Sequence, residues 1–206
     1  MSLITTWGYT VKDEDTLPEM LEWSEYDRFT ANKYVGDSRT YGNIMAAEAA
    51  VRNYCGWHVY PPLLCELSTT FFDRRVVLSD GIVMIQLPAT YATSVSSVTI
   101  GGVQYDKYVL DTNGMLRIFG VPCQEPYSSI VIEYTAGIPD ELMAGIKELI
   151  AHRVTHAMAS TSGVQSESVG GVSVTYNANW TNSARATALA DDNKEVLSPY
   201  RLRGVF

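Results

Sequence analysis

The chain has 206 residues, 46% of them hydrophobic and 18% charged, which supplies a buried core and excludes global disorder. Its 23 acidic against 15 basic residues give a net charge of −8; that sign repels a phosphate backbone at long range and argues against a free DNA-binding protein. No apolar run reaches the roughly 18 to 20 residues of a membrane span, and no secretory layout opens the chain, so the expectation is a soluble protein.

Residues 1 to 38 read as a polar, acidic arm. Asp13, Glu14, Asp15, Glu19, Glu22, Glu25 and Asp27 crowd this stretch. Thr16 with Glu19 matches a capping box and Ser24 with Asp27 a weaker one, so two short helix starts are expected there. From Tyr41 to Tyr54 the residues Ile44, Ala47, Val51 and Tyr54 fall on one helical stripe, ended by Gly56 at C′.

The period then drops to two. Strands are expected at 63–67, 76–79, 82–87, 95–100, 103–110, 115–119 and 130–134, rich in β-branched and aromatic residues. Gly101-Gly102 and Asp111-Thr112-Asn113-Gly114 supply tight turns, and the short spacing indicates an antiparallel module. Helical spacing returns after Pro139, where Leu142, Met143, Ile146, Leu149, Ile150, Val154, Ala157 and Met158 trace a stripe of about five turns. Val164 to Val169 and Val172 to Tyr176 flank Gly170-Gly171 and read as a separate β-hairpin. A partly helical stretch to Leu197 leads into a tail whose Tyr200, Leu202, Val205 and Phe206 are costly to leave in water.

The fold class expected from this pattern is α+β. A helical body of two main helices plus a C-terminal helical segment carries an inserted antiparallel β module and the separate hairpin. The divisions are an arm at 1–38, a body at 39–62 and 136–196 including the hairpin at 164–176, the β module at 63–135, and a docking tail at 197–206.

Motifs for catalysis are sparse. The sequence has no Gly-x-Ser-x-Gly, no phosphate-binding Gly-x-x-x-x-Gly-Lys, no dinucleotide fingerprint and no His-Glu-x-x-His. Glu148, His152 and His156 recur at spacings of four, which would align three metal-ligand types on one helix face, although imidazoles so spaced are more often surface residues. Cys55 and His58, with Cys65 nearby, fall short of a zinc ligand set. The three cysteines, Cys55, Cys65 and Cys123, lack Cys-x-x-Cys spacing and are expected as free thiols in a reducing compartment. Arg74-Arg75 is too small a basic patch to bind nucleic acid.

Four stretches taken in order resemble a known family. They are the helix end Tyr54-Cys55-Gly56-Trp57-His58-Val59-Tyr60-Pro61; Leu87-Pro88 followed by Val95-Ser96-Ser97-Val98-Thr99-Ile100-Gly101-Gly102; Tyr134-Thr135-Ala136-Gly137 leading to the long helix and then to residues 166–176; and Leu197-Ser198-Pro199-Tyr200-Arg201. Over about 160 residues this order is similar to the head-to-tail adaptor, connector or head-completion proteins of tailed bacteriophages and prophages.

The resemblance implies a structural virion protein and no enzyme. About a dozen copies would form a ring beneath the portal, extend the DNA channel and present a platform for the tail. The implied partners are the portal protein, a tail-side neck or completion protein and other copies of the chain, with DNA passing through without sequence-specific binding. No cofactor, metal or membrane is implied; the place is the virion neck, reached by assembly in the bacterial host cytoplasm.

Residue types then suggest two contact sites. Leu197, Pro199, Tyr200, Arg201, Leu202, Arg203 and Phe206 would dock on the portal, because aromatic and arginine side chains are the types enriched at binding hot spots. Val169, Gly170, Gly171 and Val172 would face the channel or a neighbouring ring, because a lone hairpin has little core. Competing readings are another neck or tail-completion protein, a metal-dependent hydrolase using Glu148, His152 and His156, and a carbohydrate-binding β module.

Overall fold

The computed structural model describes residues 2–34, 36–122, 128–159, 166–169, 172–175 and 191–202. It divides into two compact units, one comprising Met1–Pro18, Cys55–Leu142 and Tyr200–Phe206, the other Glu19–Tyr54 and Met143–Pro199.

The first unit is built of strands. They are β1 (Leu3–Ile4), β2 (Thr10–Val11), β3 (Leu63–Thr70), β4 (Val76–Ser79), β5 (Ile82–Gln86), β6 (Ala92–Ile100), β7 (Val103–Gln104), β8 (Tyr108–Leu110), β9 (Met115–Phe119) and β10 (Ser129–Ala136). A six-stranded sheet has the order β1-β2-β3-β10-β6-β7 and a four-stranded sheet the order β4-β5-β9-β8. Every pairing in them is antiparallel.

The central strand β10 shows why this register is the stable one. Its Ile130, Ile132, Tyr134 and Ala136 alternate inward and are fully buried, so a one-residue slip would turn all four toward solvent. Gly101, Gly102 and Gly114 take positive φ at the turns, as the two-residue and four-residue turn sequences demand. At Gly137 a Cβ would collide with the Pro61 carbonyl, so only glycine lets the two backbones approach there.

The second unit holds α1 (Trp23–Phe29), α2 (Arg39–Cys55, which ends in the first unit), α3 (Ala144–Ala159), α4 (Asp191–Leu197) and the hairpin of β11 (Ser166–Val169) with β12 (Val172–Thr175). Met20, Leu21, Tyr26, Ile44, Val51, Ile150 and Val154 are buried there. A 3-10 turn at Asp140–Leu142, which carries Asp140 and Glu141, precedes α3.

The fold class departs from expectation. Among the described residues, ten strands in two antiparallel sheets stand beside four helices, so the molecule is mostly β and is not a helical body carrying an inserted module. Helical stripes extend over a dozen residues and stand out in sequence, whereas the strands are short. Much of the large core nevertheless lies in the β unit: Leu67, Ile85, Ile100, Leu116, Ile118 and Tyr134 on its strands, and Trp57 and Leu87 beside them, are all fully buried. Residues 3–4 and 10–11 also join the sheet from a stretch without alternation, because the exposed edge of β3 supplies backbone partners whatever the side chains.

Two finer expectations shift. The expected strand 103–110 is broken into β7 and β8, with Tyr105 N–H donating to the Val98 carbonyl at 2.9 Å between them. No helix starts at Thr16; α1 begins after Glu22, whose N–H donates to the Glu25 carboxylate at 3.3 Å.

Candidate docking segment

The C-terminal segment is fixed by its main chain. In the β unit the Trp57 indole N–H donates to the Tyr200 carbonyl at 2.7 Å, and the Thr90 hydroxyl donates to the same oxygen at 3.2 Å. The Leu202 N–H donates to the Cys55 carbonyl at 3.0 Å. Trp57 is fully buried, so its indole N–H requires such a partner. A glycine turn at Gly56, φ 79°, releases the chain from α2 and leads directly to Trp57.

Around this anchor the docking candidates divide. Leu197 and Leu202 are buried, Pro199 and Arg201 are exposed, and Tyr200 is partly exposed. Arg203 and Phe206 lie outside the described residues. The neighbouring Val196 is 48% exposed on α4. The segment therefore combines a backbone held by buried donors with outward-facing Pro199, Tyr200 and Arg201.

In the hairpin, Val169 pairs with Val172 across the antiparallel ladder of β11 and β12. Gly170 and Gly171 lie outside the described residues.

The candidate chemistries find no support in the geometry. Glu148, His152 and His156 are exposed along α3, and among the described residues no group of three or more His, Cys, Asp or Glu side chains is arranged to hold a metal ion. Cys55 and Cys65 are free and buried, and burial pushes both thiols up to about 12, away from reactive thiolate. Cys123 lies outside the described residues.

His58 has a structural place. It is fully buried, its Nε2 lies 2.8 Å from the Ala136 carbonyl and its Nδ1 2.7 Å from the Tyr9 hydroxyl. A carbonyl only accepts, so Nε2 carries the proton and Nδ1 accepts from Tyr9. The Tyr9 oxygen in turn accepts the His58 N–H at 3.0 Å. Arg75 is likewise occupied: its guanidinium spans both Asp73 carboxylate oxygens, with Nη2 to Oδ2 at 2.6 Å. Arg74 beside it is exposed.

A family model of the head completion protein matches residues 19–201. The chain belongs to the head completion protein family. No curated protein matches the chain at a significant level. The matched span runs from the start of the helical unit through the β unit to Arg201, and so takes in the whole segment 197–201. Family membership makes this a phage structural protein with a role at the head-to-tail region of the virion, where it meets other head or tail proteins. No helix among the described residues is long and apolar enough to cross a membrane.

Sequence reasoning missed a second surface, the open face of the four-stranded sheet. Its signal is present in β9, where Met115, Leu116, Ile118 and Phe119 put apolar residues on both phases of the alternation. A strand with one solvated face carries them on one phase only.

Proposed function

We propose that this head completion protein is a head-to-tail connector that assembles as a ring under the portal, lengthens the DNA channel and offers the tail its attachment platform. The observation that carries the reading is the family match over residues 19–201, joined to the ordered resemblance already described. The net charge of −8 supports it physically. A channel wall through which DNA slides functions best when it does not hold phosphates, and an acidic chain does not.

The portal contact is assigned to Pro199, Tyr200 and Arg201. Pro199 and Arg201 are exposed and Tyr200 partly so, while the Tyr200 carbonyl is held by Trp57 and Thr90, so little backbone freedom is left to lose on docking. Leu197 and Leu202 serve the fold instead, and removing the whole tail would expose core along with the docking side chains. The hairpin of β11 and β12 is assigned to the channel or to a neighbouring ring, on the ground that a two-stranded element is marginal by itself.

The test is a pull-down with the cognate portal, comparing the full chain with a Tyr200→Ala, Arg201→Glu double variant. Loss of portal binding with an unchanged thermal melt is expected. Normal binding by the double variant would overturn the assignment of the docking segment.

A further inference from the structure

The four-stranded sheet has one buried face and one apolar face left open. Register sets Val77, Met84, Arg117 and Val109 opposite one another across β4, β5, β9 and β8, and Ile82 opposite Phe119 one pleat along. Side chains alternate along a strand, so these share a face and turn away from Val83, Ile85, Leu116 and Ile118, which are fully buried. On the open side Val77 is 51% exposed, Val109 53% and Phe119 37%. An antiparallel sheet face that meets only water is normally polar, and contiguous apolar side chains there mark a contact surface.

Charge identifies what fits it. Arg117 is exposed in the middle of the apolar row, no carboxylate faces it in register, and it takes part in no ion pair among the described residues. The margin adds a second cation: the Phe119 N–H donates to the Lys107 carbonyl, which brings the exposed Lys107 alongside. The complement is a segment that is acidic first and apolar next. Residues 13–18 of this chain, Asp13-Glu14-Asp15-Thr16-Leu17-Pro18, have that order, with Asp13 exposed and Glu14, Leu17 and Pro18 partly exposed. The sheet face stays exposed in its own chain, so that run reaches it only from another copy.

We infer that the open face of β4, β5, β9 and β8 receives residues 13–18 of a second copy, with Asp13 and Glu14 on Arg117 and with Leu17 and Pro18 on the apolar row. The run and the face are different patches of one unit, so the contact is heterologous and repeats from copy to copy, as a ring requires. This inference rests on the connector reading and names the contact that would close the ring.

Sedimentation velocity over a concentration series, on the full chain, tests it with three variants: Arg117→Glu; Asp13→Lys with Glu14→Lys; and all three substitutions together. All three positions are at least partly exposed, so circular dichroism and melting should match the wild type. The wild type should self-associate, each charge reversal should weaken association at least tenfold, and the combined variant should recover it. Wild-type association by either reversal, failure of the combined variant to recover, or a monomeric wild type would overturn the inference. Electron microscopy with portal separates the two readings. A portal-bound ring that survives Arg117→Glu overturns this contact and leaves the connector, whereas absence of any wild-type ring overturns the connector itself.

Discussion

Glu48 shows how one side chain can hold a segment that has no regular structure. It is 1% exposed, and its Oε1 accepts the N–H groups of Met20 at 2.7 Å and Leu21 at 2.9 Å, which ties the approach to α1 onto α2. Burial raises its carboxyl above the ordinary range, while those two N–H groups and Arg52 act in the opposite direction. Glu48→Ala would orphan two buried donors and should lower stability by about 2 to 4 kcal/mol in urea titration, whereas Glu48→Gln, which keeps an acceptor oxygen, should lose clearly less. Equal losses would show that charge, and not the acceptor, is what matters. Asp73 makes the opposite case. The Arg75 guanidinium holds its carboxyl well below the usual range, with the Arg75 N–H and the Thr69 hydroxyl assisting against a smaller burial penalty. A carboxyl depressed in the folded state contributes stability that is present above its unfolded value of 3.8 and lost as pH falls below it. Wild type should therefore exceed Asp73→Asn by about 1 to 2 kcal/mol at near-neutral pH, and the gap should narrow at about pH 3. A gap that stays constant with pH would contradict the ion-pair account.

At the scale of elements, the strands β1 and β2 are the informative case. They carry two residues each, and the ladder to β3 consists only of Thr10 with Glu66 and Val11 with Cys65. Side chains supply the rest: Tyr9 bonds His58 twice, and Lys12 bridges Glu66 at 2.8 Å and Glu133 at 2.7 Å. Tyr9→Phe removes the hydroxyl that serves both His58 groups and should cost about 1 to 3 kcal/mol. It should also speed amide exchange at Thr10 and Val11 more than at Ile132. Uniform exchange across the sheet would contradict a local anchor.

These elements also show what the sequence could and could not convey. Six of the seven expected strands were legible because alternation and explicit glycine turns act within a few residues, as at Gly114 between β8 and β9, whereas the expected strand 103–110 divides between the two sheets. β1 and β2 were not, because their strand state comes from a neighbour's open edge and from Tyr9 meeting a histidine 49 residues away. The helix stripes were legible too, but they were overweighted: Glu48, Arg52 and Arg153 are buried in α2 and α3, so these stripes are less purely apolar than spacing implied. Within the docking segment the residue types were readable and the exposures were not. Leu197 and Leu202 look no different in sequence from a docking residue until burial is known.

At the scale of the whole molecule, an acidic chain of the head completion protein family presents outward-facing Pro199, Tyr200 and Arg201 and an apolar sheet face centred on Arg117. Exposed apolar and aromatic side chains of this kind mark contact surfaces. The central claim is that this protein works by assembling coaxially with the portal. Electron microscopy of the purified protein mixed with its cognate portal measures that directly. A closed ring of this chain stacked on the portal's axis, continuing its channel, is the predicted result. Portal particles that remain bare at saturating protein, or decorated away from that axis, would contradict the account.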